Sequence, residues 1–201
     1  MTQSHLDTIY KQFGNRPFRI REATSAGIPR QAIYRLRDQG SLTSVSRGVW
    51  QRADAEPSMN TEFAAVAARA PHATICLNSG LSYWDLSDEL PGSVHLAVAR
   101  GAHWPKIDTP ATTLHRFPAE TFGVERQAAH TETGEPFRIY SAERCVVDAM
   151  RLQSQVGRDV ALSALRLYMS RKGADPLRLT ALARQLGGER QLRLALEVIL
   201  A

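Results

Sequence analysis

The chain has 201 residues, of which 43% are hydrophobic; this composition supports one large or two small folded domains and excludes a disordered protein. No signal peptide opens the chain and no apolar run approaches the roughly 18 residues that cross a membrane, so we expect a cytoplasmic protein. The net charge of +5 is uneven, because residues 1–52 hold nine Lys and Arg against three Asp and Glu, whereas the rest hold 16 against 17. A basic segment of this kind is typical of nucleic-acid binding, although membranes and RNA attract one too.

The first part of the chain predicts three helices. The first helix begins at the capping box Ser4-His5-Leu6-Asp7 and ends at Gly14-Asn15. A short helix over residues 18–25 is separated by the turn Ala26-Gly27-Ile28 from a basic helix that starts at Pro29. Two helices joined by such a turn are the DNA-binding unit of helix-turn-helix proteins.

The basic helix has two different faces and is followed by a hairpin. Ala32, Ile33 and Leu36 share one face at helical spacing. Residues 40–51 are predicted to form the hairpin, or wing, with Arg47-Gly48 at its tip. The outer face of the helix carries the amide, phenol and guanidinium groups that contact base edges and phosphates, namely Gln31, Tyr34 and Arg35 beside Asp38, with Arg30 and Arg37 at its edges.

We expect this surface to bind double-stranded DNA. The side chains predicted to enter a major groove are Arg30, Gln31, Tyr34 and Arg35. Arg47 is expected to reach the backbone or the minor groove. Three further arginines are expected to contact phosphates, namely Arg19, Arg21 and Arg37. A solvated amphipathic helix in a partner-binding domain is the alternative for the same pattern.

The second part of the chain predicts an α+β domain over residues 58–201, separated from a winged helix-turn-helix over 1–52 by a polar segment at 52–57. A helix opens it, and the chain then predicts strands at 74–77, 94–99 and 113–117, a strand pair at 124–129 and 137–140 around a tip at 132–135, and several C-terminal helices. The last helix, over 189–200, is apolar nearly all round and is expected to be buried or at an interface.

The polar residues of the second part do not form a recognisable catalytic or metal-binding pattern, so no catalytic residue, metal or cofactor is predicted. Cys76 and Cys145 lie inside apolar runs and are interpreted as buried reduced thiols. His95 lies in a candidate strand and is interpreted as a hydrogen-bonded strand residue that could meet His115 of another strand. Arg144 and Asp148 lie four residues apart on one predicted helix, a spacing that predicts an ordinary surface ion pair.

Metal-dependent enzymes remain alternatives. A restriction-fold nuclease needs an acidic residue two positions before a lysine, and none of the three lysines has one. A nucleotidyltransferase needs a Gly-Ser turn and an acidic pair on a strand to hold metal, and Ser79-Gly80 followed by Asp85 and Asp88 matches this only superficially. Helix capping or solvation is the simpler interpretation of the two aspartates.

Several motifs, taken in order, resemble those of AbiEi-type antitoxins over about residues 5–200. They are the turn and basic helix at 26–36, Gly40-Ser41-Leu42, the wing at 46–50, the segment 78–84 after a strand, the strand at 94–98 with Arg100-Gly101, and the helix start at 141–148. Pro29 departs from the pattern, because a hydroxyl helix cap is usual there, and Trp50 replaces the more usual Tyr.

The resemblance implies a two-domain DNA-binding antitoxin of a bacterial type IV toxin–antitoxin pair. In that family the winged helix represses the operon by binding promoter repeats, and the second domain counteracts a nucleotidyltransferase-like toxin without requiring a stable complex. The DNA contacts carry over to Arg30, Gln31, Tyr34, Arg35 and Arg47. The expected partners are promoter DNA and a cognate toxin, and the chain is expected to be a monomer or weak dimer that binds DNA repeats cooperatively. A plain winged-helix transcription factor with a ligand-sensing or dimerising second domain is the alternative.

Overall fold

The computed structural model describes residues 2–55, 60–89, 91–104, 106–131 and 134–200. Internal contacts divide the chain into two compact units. The first unit comprises Met1–Ala73, His103–Thr112 and Ala128–Arg138, and the second comprises Thr74–Ala102, Thr113–Gln127 and Ile139–Ala201. A small sheet with helices is followed by a larger sheet and C-terminal helices, which confirms the predicted α+β class.

The first unit contains a winged helix-turn-helix. Its elements in chain order are α1 (Thr2–Phe13), β1 (Phe18–Arg19), α2 (Ile20–Ser25), α3 (Arg30–Asp38), β2 (Leu42–Ser46), β3 (Val49–Arg52) and α4 (Thr61–Arg69). Gly27, with φ of +82°, forms the turn between α2 and α3, and Gly48, with φ of +73°, forms the turn of the wing. Both positions favour glycine because a Cβ clashes with the backbone in this conformation.

Two local predictions for this unit are wrong. The first helix begins at Thr2 rather than after a cap at Ser4, whose carbonyl accepts an internal hydrogen bond from Thr8 Oγ1 at 2.9 Å. Phe18 and Arg19 are not helical, because they pair with Trp50 and Val49 and add β1 to the wing sheet in the order β1-β3-β2. A two-residue strand has no period of its own, so only its long-range partner reveals it.

The domain ranges 1–52 and 58–201 stay a prediction, and residues 56 and 57 of the expected boundary lie outside the described residues. Within the first unit, α4 packs against both strands of the wing, β2 and β3. The contacts therefore carry the first unit on to Ala73, about twenty residues beyond the wing.

The second unit is built on a five-stranded sheet with strand order β6-β5-β4-β8-β7. Its elements are β4 (Thr74–Ile75), α5 (Leu77–Tyr83), β5 (Val94–Ala99), β6 (Thr112–Phe117), α6 (Ala119–Phe122), β7 (Arg126–His130), β8 (Pro136–Tyr140), α7 (Ala142–Arg151), α8 (Gln153–Val156), α9 (Arg158–Met169), α10 (Pro176–Leu186) and α11 (Glu189–Leu200). Residues 128–130 of β7 and 136–138 of β8 group with the first unit, and the predicted tip residues Glu132 and Thr133 lie outside the described residues. The central strand β4 runs antiparallel to β5 and parallel to β8.

Helix α7 is the centre of the second unit and packs against α5, α9, α10 and α11. Gly80 allows the close approach of α5, since a Cβ at this position would come within 2.5 Å of Cys145 Sγ. Cys76 and Cys145 are free, fully buried thiols, as predicted. The last helix is buried on one face only: α11 buries Leu192 and Leu196 but leaves three apolar side chains exposed, namely Leu194, Val198 and Leu200. The alternative, that the helix lies at an interface, stays a prediction.

Candidate nucleic-acid interface

Helix α3 is held in the first unit by its apolar face. Ala32, Ile33 and Leu36 are buried, and the last two are at most 1% exposed. They join a core that includes Ile9 of α1 and Ile28 of the turn. The predicted inner face is therefore confirmed, and the opposite face is left to the solvent.

The outer face of α3 carries polar side chains that have no partner in the first unit. Arg30, Gln31 and Arg35 are exposed, and none of their side chains makes a hydrogen bond or an ion pair within the described part of the chain. The only acidic residue of the helix, Asp38, is bound by Arg37 through Nη2 at 2.6 Å. Two guanidinium groups and one amide are thus available to an external ligand.

Two other predicted contact residues are partly engaged within the protein. Tyr34 is half-buried, and its ring meets Trp50 of β3 edge-on at a centroid distance of 6.0 Å. The guanidinium carbon of Arg37 lies 5.3 Å from the centroid of the Tyr34 ring, while its nitrogens bind Asp38. These contacts limit the rotamers of both side chains, so they present a more rigid surface than Arg30 and Arg35.

The wing places a further arginine in the solvent. Arg47 is exposed beside Gly48 and makes no hydrogen bond or ion pair among the described residues. The Gly48 carbonyl accepts a hydrogen bond from the backbone N–H of Ile20 at 3.3 Å, which ties the wing turn to the start of α2. The wing tip is therefore held by backbone contacts, and only the side chain of Arg47 is free to bind.

The base of the wing is fastened to α1 by a cluster that the sequence did not predict. The guanidinium of Arg52 stacks on the ring of Tyr10 at 3.5 Å and binds Asp54 at 2.9 Å. Tyr10 also donates a hydrogen bond to Asp54. Hydrogen bonds from Arg52 and Tyr10 lower the pKa of the Asp54 carboxyl to about 2. Each residue alone is an ordinary surface residue in the sequence, so no local signal indicates the cluster.

The two predicted phosphate-binding arginines before α2 differ in exposure. Arg21 is exposed, whereas Arg19 is half-buried and its Nη2 is a buried atom without a hydrogen-bond partner in the described residues. Burial, followed by the charge of Arg21, lowers the pKa of Arg19. Glu22 accepts a hydrogen bond from the backbone N–H of Arg19 at 2.8 Å and pairs with Arg16 at 3.0 Å. Glu22 therefore caps α2 and pairs with Arg16, and its charge offsets only part of the repulsion of the Arg19 guanidinium by Arg21.

The second unit contains a histidine pair, as the sequence allowed. His115 Nε2 lies 3.1 Å from His95 Nδ1, and His115 Nδ1 lies 3.0 Å from Gln155 Oε1. Burial lowers the pKa of both imidazoles, to about 4 for His95. Both histidines are hydrogen-bonded, which agrees with their interpretation as structural strand residues.

The predicted surface ion pair of α7 is wrong in its location, because Arg144 and Asp148 are both fully buried. Arg144 Nε binds Asp148 at 2.8 Å, and the other carboxylate oxygen binds Arg151 at 2.6 Å. Arg144 also stacks on the ring of Tyr140 at 4.4 Å. Spacing of four residues on a helix predicts the pairing but does not reveal the depth of burial.

Other features bear on alternative functions. Among the described residues, no group of three His, Cys, Asp or Glu side chains is arranged to hold a metal ion. Asp85 follows the end of α5, and its carbonyl accepts a hydrogen bond from Arg171 at 3.0 Å. The described helices include none long and apolar enough to cross a membrane.

Comparison with known proteins identifies the winged segment. Residues 12–53 match the sequence model of a family described as transcriptional regulator, AbiEi antitoxin. The resemblance to AbiEi regulators is thus confirmed over this segment. The match covers about a fifth of the chain and includes α2, α3 and the wing. No curated protein matches the chain.

A solved structure is similar over the whole chain. The crystal structure of the Rv2827c protein from Mycobacterium tuberculosis aligns with a TM-score of 0.57 and 16% sequence identity, covering 98% of this chain and 80% of that chain. At this identity the likeness concerns the fold, and it extends through both units. The fold of the chain therefore has a counterpart among known structures.

Proposed function

We propose that the chain is a cytoplasmic, non-enzymatic DNA-binding antitoxin that represses its own toxin–antitoxin operon. The observation that carries the proposal is the outer face of α3, which presents Arg30, Gln31 and Arg35 without internal partners beside a wing that presents Arg47. The match of residues 12–53 to AbiEi transcriptional regulators supports this use of the surface.

In the proposed complex, α3 enters a major groove and the wing follows the adjacent backbone or minor groove. Arginine binds guanine through O6 and N7, and glutamine binds adenine through N6 and N7, so Arg30, Gln31 and Arg35 supply sequence discrimination. Tyr34, whose rotamer is limited by Trp50, adds a positioned hydroxyl. Phosphate contacts come from Arg47 and from three more arginines, Arg19, Arg21 and Arg37.

One winged helix covers a small area of DNA, so we propose that two copies of the chain bind cooperatively to repeated half-sites. The free chain is a monomer or a weak dimer in this scheme. The second unit counteracts a nucleotidyltransferase-like toxin encoded beside it, a role that rests on the AbiEi resemblance alone and requires no stable toxin complex.

A salt titration of DNA binding tests the repressor proposal. Affinity for a duplex from the chain's own promoter is compared with affinity for a scrambled duplex of the same length and composition. We expect a strong preference for the promoter and a slope of log K against log salt near −4.5, as for about five neutralised phosphates per subunit. Equal affinity for the two duplexes would contradict the proposal.

A matched pair of double variants assigns the binding to the proposed surface. Arg30→Ala with Arg35→Ala removes the two free guanidinium groups of α3, and we expect the promoter preference to be lost. Arg158→Ala with Arg166→Ala removes two exposed arginines from α9 and should leave the preference intact. For the antitoxin role, we expect expression of the neighbouring gene alone to inhibit growth and co-expression of the chain to restore it. A neighbouring gene product that is not toxic would contradict that role.

A further inference from the structure

A cavity of about 430 Å³ lies within the first unit, away from the outer face of α3. It is lined by the segment before and at the start of α2, by one face of α4, and by Ala128 and residues 135–138, all of which belong to the first unit. Small-molecule sites commonly occupy about 300–1,000 Å³, so its size fits a small organic ligand. Arg19 and Arg21, which are also proposed to contact DNA phosphates, line this cavity, whereas none of the proposed contacts on α3 or the wing does.

The lining of the cavity is cationic. Four arginines contribute to it, Arg16, Arg19, Arg21 and Arg138, against two glutamates. The balance of two positive charges complements a phosphate monoester, which carries about −1.5 to −2 at neutral pH. Arginine suits such a group because its planar fork donates two parallel hydrogen bonds to phosphate oxygens.

Three of these arginines make no ion pair with either glutamate among the described residues. Glu22 is bound to Arg16, and Glu135 accepts a hydrogen bond from Thr131. The side chain of Arg138 is exposed and, like that of Arg21, makes no hydrogen bond or ion pair within the described residues. Arg19 has no ion pair there either, and its buried Nη2 lacks a partner.

An unpaired buried donor costs free energy in the folded protein, so a ligand that accepts a hydrogen bond there would relieve that cost. The guanidinium groups of Arg21 and Arg69 repel that of Arg19, while the Glu22 carboxylate attracts it less strongly than Arg21 repels it. Arg69 Nε is itself a buried atom without a hydrogen-bond partner in the described chain. An anion in the cavity would reduce this repulsion. The buried, unsatisfied nitrogen of Arg19 distinguishes the cavity from an ordinary basic surface.

The rest of the lining is apolar and small. One face of α4 contributes three alanines, Ala64, Ala67 and Ala68, and β8 contributes Phe137. The ring of Phe137 is buried and meets Phe63 at a centroid distance of 5.5 Å. Alanine side chains leave space for a flat apolar group beside the arginines, which free phosphate would not fill.

We propose that this cavity binds a small organic phosphate, with Arg19, Arg21 and Arg138 contacting the phosphate and the α4 alanines contacting the apolar body. The proposal concerns a ligand site distinct from the α3 surface and does not depend on the antitoxin role. It places a ligand-binding function in the same unit as the winged helix, rather than in the second domain where the transcription-factor alternative would put it.

Isothermal titration calorimetry of the full chain in phosphate-free buffer tests the proposal with adenosine 5′-monophosphate as the probe. We expect saturable binding of adenosine 5′-monophosphate. Adenosine and inorganic phosphate should each bind at least about tenfold more weakly, because adenosine lacks the phosphate and inorganic phosphate lacks the body that contacts the α4 alanines. Two variants probe the two halves of the site. Arg138→Ala removes an exposed charge, and Ala67→Leu fills the cavity without changing charge; each should weaken binding about tenfold or more.

Arg100→Ala is the matched control, since Arg100 is an exposed arginine outside the cavity lining, and its affinity for the probe should equal that of the original chain. Should Ala67→Leu fail to fold, Arg138→Ala decides the matter, because its side chain is exposed and unpaired. Absence of probe binding, or probe affinity in both cavity variants equal to that of the original chain, overturns the proposal. A loss of promoter-DNA affinity in Arg138→Ala as large as its loss of probe affinity also overturns it, because Arg138 would then belong to the DNA surface.

Discussion

The arginines of α3 and those of α7 show opposite uses of the same side chain. Arg30 and Arg35 are exposed and have no partner among the described residues. Arg144 is fully buried, where it binds Asp148 at 2.8 Å and donates to the carbonyl oxygens of Thr121 and Val124 at 2.9 and 3.0 Å. A guanidinium leaves water only where the protein supplies charge and acceptors. The fold supplies Arg144 with a carboxylate and two carbonyl oxygens and leaves its buried Nη2 without a hydrogen-bond partner among the described residues, whereas it supplies no partner to the side chains of Arg30 and Arg35.

The difference follows from the acidic residues that each helix offers. Helix α7 has Asp148 four residues after Arg144 and three before Arg151, so one carboxylate binds both cations. Helix α3 has a single acid, Asp38, and it is bound by Arg37. The contrast teaches that arginines paired within a helix support the fold, whereas the unpaired arginines of α3 leave their guanidinium groups available to an external ligand.

The largest predicted effect concerns the buried ion pair of Arg144 and Asp148. Asp148→Asn keeps the shape of the side chain but leaves Arg144 and Arg151 without a counter-charge. Loss of one partner of a buried pair costs about 3–5 kcal/mol, and we expect a decrease of that size in the free energy of unfolding measured with urea. Glu189→Gln, which removes an exposed pair with Arg184, should leave the unfolding midpoint nearly unchanged. Equal midpoints for the two variants would contradict the internal role of Asp148.

The next largest effect concerns the exposed arginines of α3. Arg30→Ala and Arg35→Ala should each cost about 1–3 kcal/mol of promoter binding at fixed salt and relax sequence preference, since each removes one base-edge contact. Neither side chain supports the core, so the melting temperature should not change. Arg37→Ala is the comparison on the same helix. Because Arg37 already binds Asp38 and contacts the Tyr34 ring, this variant should lose less affinity for the promoter than Arg30→Ala or Arg35→Ala. A larger loss for Arg37→Ala than for both other variants would reverse the assignment of the face.

The wing arginine should have a smaller effect of a different kind. Arg47→Ala is expected to weaken binding to promoter and scrambled duplexes alike and to make the salt slope shallower by about 0.9, as for one lost phosphate contact. Parallel salt titrations of the variant and the original chain measure this change. A loss confined to the promoter duplex would instead place Arg47 at a base edge.

Sequence patterns were sufficient for the elements whose apolar residues repeat regularly. Helix α3 was predicted with its inner face because Ala32, Ile33 and Leu36 recur at helical spacing, and the hairpin followed from Gly48 and its flanking strands. Strand β1 was missed because two residues carry no period and are defined only by pairing with β3. Helix α6 is only four residues long, too short to show a helical period, so the sequence does not predict it.

Burial of charge was the main feature that the sequence could not predict. Arg144 and Asp148 have the same spacing as a surface ion pair, and only the packing of α5, α9, α10 and α11 around α7 places them inside. The cavity of the first unit was equally hidden, because Arg138 and Ala67 are distant in sequence and ordinary by themselves. Properties that depend on several elements meeting in space have no local signal.

The smallest predicted effect returns to the interior polar groups of the second unit. The folded protein lowers the pKa of His95 to about 4 and also lowers the pKa of His115, in both cases mainly by burial. The unfolded chain, with ordinary histidines near a pKa of about 6.5, therefore binds more protons between about pH 6.5 and 4. Stability is complete above this window and decreases as the pH falls through it.

His95→Gln should reduce this pH dependence, because a glutamine in its place carries no titrating group and no longer opposes the protonation of His115. The measurement is the difference in unfolding free energy between pH 7.5 and pH 5 for the original chain and the variant; comparing the two cancels the contribution of the carboxylates. His103→Gln, at an exposed position, should retain the original difference. An undiminished pH dependence in His95→Gln would mean that the pair is protonated in the fold, and that nearby Asp148 supplies charge to the histidines as well as to the arginines of α7.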